Sequence, residues 1–241
     1  MILENNKGET AMKKMMIMAA AGLMAAMTLA ADADTEALKA VLEKVTDAET
    51  QCRIGNCYAE GKVVAKDEAE AVRWYRKAAD QGYADAQCWL GEWYTYHLTI
   101  GEKPQAAKWY RKAAEQGHVV AQHELGVLYF RGAGGVTNNY AEAVRLFRKG
   151  AESGYVRSIH NLGTCYAEGK GVPQDKSEAY RLYRKAAEMG LRESQFNVGT
   201  YYDMGWVVER NQEEALKWYR KAAAQGSKLA EGMIREMTQK K

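Results

Sequence analysis

Small and apolar side chains recur at i, i+4 and i+8 in five stretches of the chain. They are Thr50, Ile54, Tyr58; Ala86, Leu90, Tyr94; Ala121, Leu125, Tyr129; Ser158, Leu162, Tyr166; and Ser194, Val198, Tyr202. That spacing draws a stripe along one face of an α-helix, so each stretch predicts a helix, here called helix A, with one side buried. Gly55, Gly91, Gly126, Gly163 and Gly199 follow the middle residues. A glycine inside a helix costs about 1 kcal/mol against alanine, so its regular return predicts a neighbouring helix that approaches closely there. A second stripe follows each first one. Trp74-Tyr75-Arg76-Lys77-Ala78-Ala79 returns at 109–114 and 218–223, with variants beginning Leu146-Phe147 and Leu182-Tyr183. These blocks predict helix B, with Ala71, Trp74, Ala78 and their equivalents facing the core and the Arg-Lys pair facing outward. Asp67, Asn139, Asp175 and Asn211 stand before helix B, and Glu70, Glu142, Glu178 and Glu214 follow three later, the layout of a capping box. The second unit has Glu102, Pro104 and Gln105 there instead, and proline is tolerated in a first turn.

Gly82, Gly117, Gly154, Gly190 and Gly226 close the units at spacings of 35, 37, 36 and 36 residues. A period near 36 predicts a solenoid of helical hairpins, with glycine supplying each left-handed cap. After the fifth unit, Ala230 and Ile234 continue the helix A register, but Arg235 replaces the glycine and no helix B follows, which reads as a C-terminal cap.

Composition agrees with an all-α chain. Two prolines and three phenylalanines stand against fifteen tyrosines, and 47% hydrophobic residues suffice for a core. The net charge of +3 comes from 34 basic and 31 acidic residues interspersed along the chain, which argues against a nucleic-acid partner. The N-terminus changes the picture in another way. Lys13-Lys14 precede an uncharged run from Met15 to Ala31, and small residues offer cleavage after Ala30 or Ala33. This is the layout of a secretory signal peptide with its start at Met12, so export to the periplasm or beyond is expected, with no stable membrane span after cleavage.

The small residue, Leu-Gly, Tyr, Gly-rich loop, capped helix, Trp-Tyr, Ala-Ala and final Gly together resemble the Sel-one-like repeat, a branch of the tetratricopeptide superfamily, over about residues 48–241. The resemblance implies an all-α, right-handed α/α superhelical solenoid of five repeats plus a C-terminal capping helix. The expected organisation is 1–33 upstream segment and signal, 34–47 N-terminal cap, then repeats at 48–83, 84–118, 119–155, 156–191 and 192–227, and a cap at 228–241. It also implies a scaffold or adaptor that binds a protein or peptide on the concave helix A face, without catalysis and without a cofactor.

By the same resemblance, the position two after the small residue points into that groove, where this chain has Cys52, Cys88, His123, His160 and Phe196. Helices pack about 8 to 10 Å apart, so Cys88, His123 and His160 are the candidate zinc ligands, although no short ligand-spacing motif supports them. Four positions on, the row reads Asn56, Glu92, Val127, Thr164 and Thr200, and the next turn adds Tyr96, Phe130 and Arg131. Aromatic and arginine side chains among polar ones are what peptide-binding surfaces use. The four cysteines do not form a disulfide framework at this spacing, though one bridge stays open. Some cysteine-rich members of the family carry a β-lactamase label, which makes a hydrolase or a binder of cell-wall material one alternative, and a metal-binding protein that uses Cys88, His123 and His160 is the other. The chain has no Ser-x-x-Lys, Gly-x-Ser-x-Gly or His-Glu-x-x-His for that chemistry.

Overall fold

A computed structural model describes residues 42–61, 64–96 and 104–239, apart from the side chain of Pro104. The signal-peptide reading and residues 34–41 of the expected N-terminal cap lie outside the described residues. Among the described residues there are eleven α-helices and no strand. The chain divides into two compact units, Met1–Leu98 and Thr99–Lys241. The first holds α1 (Ala48–Glu60), α2 (Glu68–Asp80) and α3 (Ala84–Tyr96). The second holds α4 (Pro104–Glu115), α5 (Val119–Arg131), α6 (Tyr140–Glu152), α7 (Val156–Glu168), α8 (Lys176–Glu188), α9 (Arg192–Met204), α10 (Gln212–Ala224) and α11 (Lys228–Gln239). Helices adjacent in sequence pack on one another within each unit, and Pro104 opens α4 as its first residue.

The glycine inside helix A makes room for a ring. A Cβ built on Gly55, Gly126 or Gly199 would stand 2.7 Å from the ring of Tyr75, Phe147 or Tyr219, and one on Gly163 would stand 3.0 Å from Tyr183. Helix B therefore presses an aromatic face directly onto helix A backbone in the same repeat.

The helix B starts are capped as the sequence predicts, but only by half of the box. Asp67, Asn139, Asp175 and Asn211 accept the N–H of the residue three later at 3.0 Å. The glutamates at those third positions do not return the bond. The N–H they would bind already donates to a helix A carbonyl, that of Tyr58, Tyr129, Tyr166 or Tyr202. Each glutamate turns instead to the cation three residues on, Arg73, Arg145, Arg181 or Lys217.

Buried glutamines tie the ends of the helices together. Gln87, Gln122 and Gln195 each donate Nε2 to a carbonyl at the end of the preceding helix B, Ala79, Ala114 and Ala187. The Gln195 oxygen in turn accepts from Gln225 at 2.8 Å, and that of Gln51 accepts from Gln81 at 2.7 Å. Ahead of the first repeat, Leu42 is buried, Gln51 donates to the Val45 carbonyl, and Glu43 pairs with Arg73 and Lys77.

Candidate functional site

The row expected to hold ligands is packed rather than open. Cys52, Cys88 and His123 are buried, and His160 and Phe196 are half-buried. Each histidine is committed to the following repeat. His123 Nδ1 lies 3.1 Å from the Ser158 hydroxyl, and His160 Nδ1 lies 2.8 Å from that of Ser194. Phe147 and Tyr155 flank the His123 ring, and Tyr183 flanks His160. Burial, with Arg157 and His160 nearby, pushes the His123 pKa down to about 4, and burial lowers that of His160 as well. Both imidazoles are therefore neutral at neutral pH. Phe196 packs against Tyr219 at 5.5 Å.

The neighbouring row is half structural. Tyr75 donates its hydroxyl to Asn56 at 2.7 Å, Tyr183 to Thr164 at 3.1 Å and Tyr219 to Thr200 at 3.3 Å. Val127 faces the ring of Phe147, which has no hydroxyl to satisfy, and packs on the same apolar cluster. Phe130 is half-buried against Tyr140 at 5.2 Å, with Lys170 Nζ 5.1 Å above its ring. Of the remaining expected residues, Glu92, Tyr96 and Arg131 are exposed, Tyr96 to 71%.

Both pairings were visible in the sequence as matched exchanges between units. Histidine stands at the second position of the third and fourth units, and serine replaces alanine in the unit that follows each. Likewise a threonine or asparagine faces tyrosine, and valine faces phenylalanine.

The position three after the small residue is at least partly exposed in every unit. It reads Arg53, Trp89, Glu124, Asn161 and Asn197, a different chemistry in nearly every unit. Trp89 is 43% exposed and stacks on Tyr75 at 5.8 Å, and the other four are half-exposed. Helix B shows the opposite behaviour, because its repeated Arg-Lys pair serves the frame. Arg76 and Arg111 donate to the hydroxyls of Tyr94 and Tyr129 on the next helix A, at 2.6 and 2.9 Å. Lys77, Lys112 and Lys221 lie 4.4, 4.4 and 4.0 Å above Trp74, Trp109 and Trp218.

No disulfide joins any two of Cys52, Cys57, Cys88 and Cys165. Burial pushes Cys52 and Cys165 up to about 12, so they are protonated thiols and poor nucleophiles at neutral pH. Among the described residues no three His, Cys, Asp or Glu side chains gather as a metal cluster. Nor is any helix among them long and apolar enough to cross a membrane.

Comparison with known proteins places this architecture. The model of the Sel1 repeat matches residues 48–83, 84–118, 119–155, 156–191 and 192–227. The crystal structure of a protective antigen present in uropathogenic Escherichia coli strains, which displays an SLR fold, is similar with a TM-score of 0.76 and 38% identity, over 85% of this chain and 44% of that one. A Sel1 repeat protein from Oxalobacter formigenes is similar with a TM-score of 0.76 and 32% identity, over 93% of this chain and 86% of that one. The chain thus spans less than half the length of the first of these relatives. No curated protein matches it.

Proposed function

The chain belongs to the Sel1 repeat family, a scaffold fold of protein–protein interaction, and on that premise we propose that it is an exported, non-catalytic adaptor that holds a protein or peptide segment along its A helices. One observation carries this reading: the third-position row both changes chemistry from unit to unit and stays at least partly exposed, whereas the second-position row, which also varies, is packed into the frame. A solenoid presents equivalent positions at regular steps, so a row that varies against a constant frame is where a partner of defined sequence is distinguished. Asn161 and Asn197 hold successive steps of that row, and carboxamides offer the paired donor and acceptor that a peptide backbone needs. Within the same unit Glu124 and Arg131 supply charged contacts beside them, and Trp89, Glu92 and Tyr96 supply aromatic and charged groups in the first unit.

Cross-linked capture with the full chain in its own cell envelope tests the proposal. A partner lost with Asn161→Ala/Asn197→Ala and kept with Lys149→Ala/Lys185→Ala on helix B supports it. Capture that is equal with both variants, or recovery of cell-wall fragments alone, removes it.

A further inference from the structure

Two aromatic side chains stand exposed on α3: Trp89 to 43% and Tyr96 to 71%. They are seven residues apart, which on an α-helix returns to the same face about 10.5 Å further along. An exposed ring is often the outer side of a packing residue, so the other repeats decide. At the place of Trp89 they carry Arg53, Glu124, Asn161 and Asn197, and at that of Tyr96 they carry Glu60, Arg131, Glu168 and Met204. The frame therefore asks for no ring at either position, and α3 alone among the five A helices has one at both.

Trp89 is also held in place. Its ring stacks on that of Tyr75 at 5.8 Å, with 8° between the planes, and Tyr75 is fixed in turn by its hydrogen bond to Asn56 at 2.7 Å. An indole immobilised in this way loses little freedom when a ligand covers it. Glu92, three residues after Trp89, falls between the two rings on the same face; it is exposed and makes no ion pair among the described residues. Burial raises the Tyr75 pKa, and Cys52, Glu60, Cys57 and Glu92 push it the same way, which puts two carboxylates near the stack.

Segments of different conformation would meet this row differently. A strand returns to one face after about 6.8 Å, too short a step. Two turns of helix match the row but set their middle anchor over the Glu92 carboxylate. A polyproline II segment returns after three residues, about 9.3 Å, with no anchor between. The difference of about 1 Å is within the reach of two rotatable side chains. Proline rings are preformed apolar surfaces that dock on aromatic rows, and a basic residue between them would meet Glu92.

We infer that the row of Trp89, Glu92 and Tyr96 binds a polyproline II segment, with prolines one turn apart on the two rings and a basic side chain on the carboxylate. The inference rests on the adaptor reading and adds the class of segment held in the first compact unit.

The probe is a blocked peptide of three Pro-Pro-Arg repeats, titrated calorimetrically into the full chain, with three Gly-Ser-Arg repeats as the control of equal length and charge. The indole N–H signals are followed in parallel. The proline peptide should bind at least about tenfold tighter than the control and shift the Trp89 signal. Tyr96→Ala removes an exposed side chain, so it should leave the Tm unchanged and weaken binding at least about fivefold. Trp89→Ala should weaken it at least about tenfold, and Glu92→Gln about threefold. The inference is overturned if the two peptides bind alike, or if Tyr96→Ala and Trp89→Ala both bind as the parent does. It is overturned as well if a chito-oligosaccharide, another kind of ring that stacks on indoles, shifts Trp89 where the peptide does not. Envelope capture keeps the two proposals apart: a partner lost with Asn161→Ala/Asn197→Ala, beside a proline peptide that fails to bind, removes this inference and leaves the adaptor.

Discussion

His123 and His160 show how a single side chain misleads when read without its neighbour. In the sequence they sit in a row with cysteines and invite a metal, yet Nδ1 of each ring is engaged by a serine one repeat later. The commitment has a pH signature. His123 titrates near 4 in the fold against 6.5 for the ordinary side chain, so between those values the unfolded chain binds the extra proton. Stability should be full above about pH 6.5 and fall as the pH drops toward 4, by up to about 3 kcal/mol from this residue, with His160 acting in the same direction. Arg157 opposes protonation of His123, while the Glu124 carboxylate lies 4.0 Å from its Nε2 and Glu193 lies near His160. Urea unfolding across that range should therefore be flatter for His123→Gln than for the parent, and identical profiles would assign the acid sensitivity to other groups. Gln122 gives a second residue-scale prediction. Its Oε1 is buried without a partner, where Gln51 and Gln195 are met by Gln81 and Gln225, because Ser153 holds the matching position. Ser153→Gln restores the missing donor and should add about 1 kcal/mol of stability, read as a raised Tm; an unchanged or lowered Tm would show that the acceptor needs no partner.

At the scale of the element, the helices and their starts were legible because their causes are local. Stripe spacing, N-cap residues and terminal glycines each act within a few positions, and the structure places eleven helices accordingly. What the sequence hid are the bonds between elements. The reciprocal half of the capping box is missing because a helix A carbonyl has already taken the N–H, a competition that no four-residue motif contains. The helix A glycine was readable as a close approach but not as the seat of one particular ring. That seat reverses the usual rule for helical glycine. Gly199→Ala should gain about 1 kcal/mol by propensity, yet its Cβ would stand 2.7 Å from the Tyr219 ring. Overpacking of this kind costs about 1 to 3 kcal/mol, so a net loss is expected in thermal unfolding. A more stable Gly199→Ala protein would mean that the ring gives way freely and the glycine has another purpose.

In the molecule as a whole, two kinds of polar residue have separated. One kind repeats and holds the frame: the histidine–serine and tyrosine–threonine pairs, the glutamine ties and the Arg-Lys rows. The other kind varies and stays at least partly exposed: Trp89, Glu92 and Tyr96 in the first unit, and Glu124, Arg131, Asn161 and Asn197 in the second. The candidate surface read from the sequence combines residues that the fold leaves exposed, Glu92, Tyr96 and Arg131, with residues that it buries or bonds, such as Cys88, His123, Thr164 and Thr200. Periodicity gives the face of a helix, but which positions on that face are covered depends on the tilt and contacts of the next helix, and those are set by packing. The central claim is that the frame and the recognition surface are separable, and one measurement tests it most directly. The partner recovered by capture is titrated calorimetrically against Asn161→Ala/Asn197→Ala, with the Tm of the variant measured alongside. The account predicts a Tm within about 2 °C of the parent, as for surface changes of about 0.5 kcal/mol, and an affinity at least tenfold weaker, about 1.4 kcal/mol. An affinity equal to that of the parent at an unchanged Tm would contradict it.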